Sequence, residues 1–139
     1  MSLFFIFFSG LNDRGQLGIG STTTMNLPTA VDTAVALNTK KISFISAGQN
    51  HVAAVDINGV TYVWGDNAQG ELGQNSGAGY ESSPGLAYVG DVLKDQKIVM
   101  VSSGMQFTLA LNEKGRVFGW GANSNGNCFS FFFSLREKN

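Results

Sequence analysis

The sequence has a single cysteine, Cys128, a single histidine, His51, and two prolines in 139 residues. One cysteine cannot close an internal disulfide, and no Asn-x-Ser/Thr acceptor occurs, so a reducing intracellular setting, cytoplasmic or nuclear, is expected. The same scarcity leaves no Ser/His/Asp or Cys/His relay and no metal-ligand cluster to draw, which speaks against an enzyme, a metal site or a cofactor. Charge of one sign is missing too. Nine basic residues against ten acidic ones give a net charge of -1, and Lys40-Lys41 is the only adjacent basic pair. Without a basic stripe to displace counterions, direct nucleic-acid contact is not expected. No apolar run approaches the ~20 residues of a membrane span, so no membrane partner is expected. The opening Met1-Ser-Leu-Phe-Phe-Ile-Phe-Phe8 holds six apolar residues in a row with no Lys or Arg before them, a poor signal peptide.

What is present is glycine, 18 residues of it, and a repeat. Ile42 to Gly73 lies over Ile98 to Phe129 at a constant offset of 56, with nine of 32 positions identical: Ile42/Ile98, Ser46/Ser102, Gly48/Gly104, Ala54/Ala110, Gly59/Gly115, Trp64/Trp120, Gly65/Gly121, Asn67/Asn123 and Gly70/Gly126. Gly10-Leu-Asn12-Asp-Arg-Gly15-Gln-Leu17-Gly18 matches Gly65 to Gly73, including Leu72, at offset 55. Glycines and a tryptophan fix backbone geometry or fill volume, so what recurs is an architecture.

Each full unit reads as short strands. Lys41 to Ala47 and His51 to Ile57 flank a turn at Gly48-Gln-Asn50, and Val60 to Trp64 follows Asn58-Gly59, a pair that predicts a primed two-residue hairpin turn. Lys114-Gly115 holds the same place in the second copy. Pro28 and Pro84, also 56 apart, predict the start of an outer or edge strand, where a missing N–H costs least. Asp91 to Gln96 is the one stretch with a hint of helix. The inner strands are apolar on both faces, with Val52, Ala54 and Tyr62 on one and Ala53, Val55 and Trp64 on others, as sheets pressed between neighbours require. Four strands in about 56 residues is the size of a propeller blade.

The string Gly48-x-x-His51-x-x-Ala54-x-x-x-x-Gly59-x-x-Tyr62-x-Trp64-Gly65-x-Asn67-x-x-Gly70-x-Leu72-Gly73 resembles the repeat of the regulator of chromosome condensation family, and Gly104 to Gly126 is similar with Phe107 in the histidine's place. WD repeats end in Trp-Asp at a shorter period, and kelch blades carry a paired glycine absent here. The resemblance implies an all-β, incomplete β-propeller of about two and a half blades of four-stranded antiparallel sheet. The repeats are expected over 10–127, divided into 10–39 (partial), 40–95 (full) and 96–127 (partial). Phe-rich tails at 1–9 and 128–139 read as foreign to the propeller, since Ser9 stands where tryptophan belongs and Cys128 and Phe129 replace Leu72 and Gly73. Open blade faces and these tails predict self-association.

A non-enzymatic protein-interaction scaffold is the functional expectation. Its candidate contacts are the blade-top residues Gln49, Asn50, His51, Asp66, Gln69, Met105 and Gln106, which put polar side chains on rigid loops. Guanine-nucleotide exchange on a Ran-like small GTPase is the alternative the resemblance implies. His51 holds the place where the repeat commonly has histidine and reads as structural. Trp64 and Trp120 hold the repeat's packing place, although one plant photoreceptor of the family absorbs ultraviolet light through clustered tryptophans. Glycine-rich Gly119 to Gly126 lacks the spacing and lysine of a phosphate loop. Asp56-Ile-Asn58-Gly59 suggests a calcium loop, but the hairpin accounts for it.

Overall fold

A computed structural model describes residues 5–32, 36–74, 77–88, 92–124 and 126. The strands are β1 (Phe7–Gly10), β2 (Met25–Ala30), β3 (Ile42–Ala47), β4 (His51–Asp56), β5 (Thr61–Asp66), β6 (Tyr80–Leu86), β7 (Ile98–Ser103), β8 (Phe107–Asn112) and β9 (Val117–Gly121). They form antiparallel sheets of two (β1-β2), four (β3-β4-β5-β6) and three (β7-β8-β9) strands, with no helix among the described residues. Residues 92–95 form a turn, so the hint of helix there is corrected. Its geometry recurs at offset 56: Gln96 N–H donates to Leu93 and Lys40 N–H to Leu37, with Asp95 and Thr39 both at positive φ (60° and 62°).

The hairpin after β4 is not the primed turn expected from Asn58-Gly59. Gly59 alone takes positive φ (85°); its N–H donates to the Asp56 carbonyl and Asp56 N–H donates to the Val60 carbonyl, a three-residue loop with a glycine bulge. The Asp56 side chain decides this, since Oδ1 accepts from the N–H groups of Asn58 and Val60 at 2.9 Å each. Asn112 does the same for Lys114 and Arg116 at 3.0 and 2.8 Å.

The prolines lie on edge strands but within them, not at their start. Pro84 sits in β6, where the pairing slips between Val63↔Gly85 and Gly65↔Glu81, so a bulge absorbs the missing N–H.

Strand β1 lies where the offset of 55 places it, with Phe7, Phe8 and Ser9 in residues 1–9 read above as a tail and Gly10 in the repeats. Ile6 and Phe8 pack on the core formed by Val31, Leu37, Val52, Ala54, Tyr62 and Trp64. Ala53, Val55 and Val63 point the other way, into a second core with Leu72, Ile98, Val101, Ala110, Phe118 and Trp120. Trp64 therefore shares the face of Tyr62, Val52 and Ala54, as the two-residue period of a strand dictates. The tail at 128–139 lies outside the described residues.

Candidate functional site

The candidate loops are positioned by the joints between sheets, and the repeat builds each joint the same way. Asn67 accepts the Leu72 N–H on Oδ1 (3.1 Å) and donates to the Ala78 carbonyl, while Asn12 accepts from Leu17 (2.9 Å) and donates to the Ser21 and Thr23 carbonyls. The turn so formed presents one carbonyl to the tryptophan of the next sheet. Trp64 Nε1 donates to Gln16 O at 3.1 Å, and Trp120 Nε1 to Glu71 O at 2.7 Å. Gln16 and Glu71 are equivalent at the offset of 55. Small residues let the parts close up: a Cβ on Gly18 would lie 2.7 Å from the Trp64 ring, and one on Gly65 2.3 Å from the Asn50 carbonyl. Gly65 also takes φ 102°, which L side chains rarely adopt.

His51 belongs to the joint and not to the surface. It is 1% exposed, and its Nε2 lies 2.9 Å from Thr108 Oγ1 on the third sheet. The Thr108 hydroxyl spends its one hydrogen on the Glu71 carbonyl at 2.8 Å, so it can only accept from the histidine, and His51 carries its proton on Nε2. Nδ1 is left with a buried lone pair and no hydrogen-bond partner among the described residues. Burial holds the ring down to a pKa of about 4, only partly offset by the Asp66 carboxylate and the Phe107 backbone. At neutral pH His51 is thus uncharged and sealed.

Gln49, Asn50, Asp66, Met105 and Gln106 do come together. The Gln49 N–H reaches the Gly104 carbonyl at 3.4 Å, which sets the β3–β4 loop beside the β7–β8 loop. Asp66 N–H donates to the Asn50 carbonyl at 2.7 Å and Ala122 N–H to the Gln106 carbonyl at 2.8 Å, so both loops are pinned to the strand behind them. Gln49 is exposed and Met105 is 64% exposed; Asp66 is largely buried and turns Oδ1 to the Asn67 N–H at 3.1 Å. Gln69 is exposed on the Asn67–Gly70 turn, its N–H donating to the Glu71 carboxylate at 2.8 Å. Trp64 is 0% and Trp120 7% exposed, each occupied by a carbonyl of the preceding sheet. Among the described residues no group of three or more His, Cys, Asp and Glu could hold a metal, and Asp56 spends its oxygens on the hairpin and the Tyr62 hydroxyl.

Sequence reasoning missed four residues that shape this region. Thr108 and Glu71 act on His51 and Trp120 from distant positions, and no local spacing announces such a contact. Asp56 and Asn112 were masked by differing in type, although the matching offset was there to be read.

Repeat profiles described as regulator of chromosome condensation (RCC1) repeat match residues 6–55, 58–111 and 98–127. The chain is 34% identical over 121 residues to X-linked retinitis pigmentosa GTPase regulator of dog, covering 87% of this chain and 12% of that protein. It is 37% identical over 117 residues to the ultraviolet-B receptor UVR8 of Arabidopsis thaliana, covering 84% and 25%. Among solved structures it superposes on human WBSCR16 (TM-score 0.73, 22% identity, 84% of this chain and 28% of that one). It also superposes on Prp20p of Saccharomyces cerevisiae (TM-score 0.71, 24% identity, 83% and 28%). The chain thus spans between about a tenth and a third of the proteins it matches, as an incomplete propeller does. Two copies of one joint, with the asparagine turn and tryptophan in register, and the profile match along most of its length mean that the chain belongs to the regulator of chromosome condensation (RCC1) repeat family.

Proposed function

We propose that this chain is a non-enzymatic protein-docking scaffold acting inside the cell, with repeats over 10–127 and a contact face formed by Gln49, Asn50, Met105 and Gln106 beside the Gln69 turn. The observation that carries this reading is Met105. It is 64% exposed in a loop held on both sides by backbone hydrogen bonds, so an adaptable apolar side chain is offered at little ordering cost. Guanine-nucleotide exchange on a Ran-like small GTPase is the alternative the family offers. Sealing His51 in the joint removes the one histidine such a reaction could borrow, and the repeats at 40–95 and 96–127 carry no insertion between their glycine turns to serve as a wedge.

One experiment separates the two. The chain is immobilised, proteins captured from cell extract are compared with those held by a Met105→Glu, Gln49→Ala variant, and labelled GDP release is followed from a Ran-type GTPase. The scaffold reading expects partners lost by the variant and GDP release at the uncatalysed rate. Identical capture by both chains defeats the contact face, and a tenfold acceleration of release defeats the scaffold in favour of exchange.

A further inference from the structure

At the end of the second sheet away from Met105, the hairpin between β4 and β5 carries Asn58-Gly59 at its tip. In an Asn-Gly pair the glycine nitrogen can attack the asparagine side-chain carbonyl carbon, because no Cβ on the following residue obstructs the approach. Here the electrophile is free and the nucleophile is held. Asn58 is exposed, and no hydrogen bond engages its carboxamide among the described residues. Gly59 N–H donates to the Asp56 carbonyl at 2.9 Å, while Asp56 Oδ1 accepts from the N–H groups of Asn58 and Val60 at 2.9 Å each. Gly59 is also wedged against the third sheet: a Cβ on it would lie 2.6 Å from the Lys97 side chain and 2.8 Å from the Ile98 nitrogen, and its carbonyl accepts the Ile98 N–H at 3.1 Å. The third sheet repeats the hairpin without the reactive group. Gly115 N–H donates to the Asn112 carbonyl at 3.1 Å, but Lys114 stands in the asparagine's place.

We propose that Asn58 is a modification site of this chain, a deamidation latch held shut by the Asp56 cap and thrown only when the hairpin opens. In the open hairpin the Gly59 nitrogen loses its proton to solvent base and bonds to Asn58 Cγ; the Cγ–Nδ2 bond breaks, and Nδ2 leaves as ammonia. Water then opens the succinimide ring. Cleavage at Cγ returns an ordinary aspartate, and cleavage at the main-chain carbonyl carbon leaves an isoaspartate whose backbone runs through Cβ and Cγ. The balance is one water in and one ammonia out, with no oxidant, reductant or cofactor. Isoaspartate puts one more backbone carbon between the N–H of residue 58 and that of Val60, both of which Asp56 Oδ1 must receive, and displaces a Gly59 that has no room to move. The cap cannot close again. A passing opening of the hairpin, of the kind that local unfolding supplies, thus becomes a permanent loss of the Gly59–Ile98 bond between the second and third sheets.

The test incubates the full chain in mildly alkaline buffer, digests it in acid with pepsin so that work-up adds no reaction, and follows the peptide carrying Asn58 by mass and by isoaspartyl methyltransferase labelling. Isoaspartate should form at Asn58 slower by about tenfold or more in the folded chain than in the same chain unfolded in guanidinium. Asp56→Ala, which removes both side-chain acceptor bonds, should speed the folded reaction several-fold, and Asp56→Asn, which keeps them, should not; near-ultraviolet circular dichroism checks the fold of each. Asn58→Lys, the third sheet's residue, should abolish the signal in this peptide and leave any signal from Asn125-Gly126, the other Asn-Gly pair. The isoaspartyl fraction should melt below an Asn58→Asp variant, which carries the same charge on an ordinary backbone. Equal rates in folded and unfolded chain, or a folded Asp56→Ala that reacts like the parent, would overturn the latch. An isoaspartyl fraction that melts with Asn58→Asp would overturn its one-way action. The folded-to-unfolded comparison and the melting comparison stand even where Asp56→Ala does not fold.

Discussion

The second and third sheets carry the same pattern, yet every residue of β4 and β5 is buried, whereas β8 and β9 alternate between buried and partly open. The difference is one of neighbours. The second sheet has the first on one face and the third on the other, while among the described residues the third sheet has only the second. Burial here belongs to the stack and not to the strand, which is how repeat proteins acquire stability. The same contrast appears at one pair of positions. His51 and Phe107 each lie over a glycine, Gly48 and Gly104, but His51 finds a threonine on the next sheet and Phe107 is half-buried.

The largest effect should come from the tryptophans. Trp64→Ala removes a ring that is fully buried between two sheets, packs edge-on to Phe8 at 6.3 Å between centroids, and donates to Gln16 O; a loss of about 3–5 kcal/mol is expected. Trp120→Ala should cost less than Trp64→Ala, since Trp120 keeps 7% exposure on the outer sheet. Urea midpoints of the two variants check the order. A reversed order would show that the stack does not govern burial energy.

Next comes His51. Folded, it resists protonation down to about 4; unfolded, it takes a proton near its ordinary 6.5. Its share of stability is therefore complete above pH 6.5 and is lost as the pH falls toward 4, by about 3 kcal/mol at the limit. His51→Phe, which gives the second sheet the third sheet's residue, should flatten that part of the stability–pH curve relative to the parent. Parallel curves over pH 4 to 6.5 would mean the ring is accessible to protons in the fold.

The smallest effect concerns the hairpin caps. Asp56→Asn copies Asn112 and keeps both backbone acceptor bonds, so the stability change should stay at about 1 kcal/mol or less. Tyr62 reports on it more sharply. Burial first, then the Asp56 charge and its hydrogen bond at 3.3 Å, push the Tyr62 hydroxyl up to about 12. With asparagine it should titrate lower but still above 10, as an absorbance titration of tyrosinate would show. No movement would mean that burial alone sets the value.

Much of this was legible. The two copies of Trp-Gly-x-Asn-x-x-Gly mark a strand followed by a turn whose asparagine bonds to its own neighbours within about a dozen residues, so the string suffices to define it. Turn type was less legible: Asn58-Gly59 reads as a primed turn until Asp56, two residues before Asn58, captures the backbone N–H groups. The candidate residues were legible as loop positions, but not the inward turn of His51 and Asp66, which depends on the sheet that comes to lie beside them.

Sequence alone determined the repeat, the strand order and the positive-φ glycines at Gly59 and Gly65, because these rest on backbone sterics and on hydrogen bonds between residues close in the chain. Only the tertiary structure decided the Nε2 tautomer of His51 and the carbonyls that receive Trp64 and Trp120. Each depends on groups 37 to 57 residues apart, and stacking one sheet on the next is what sets those distances.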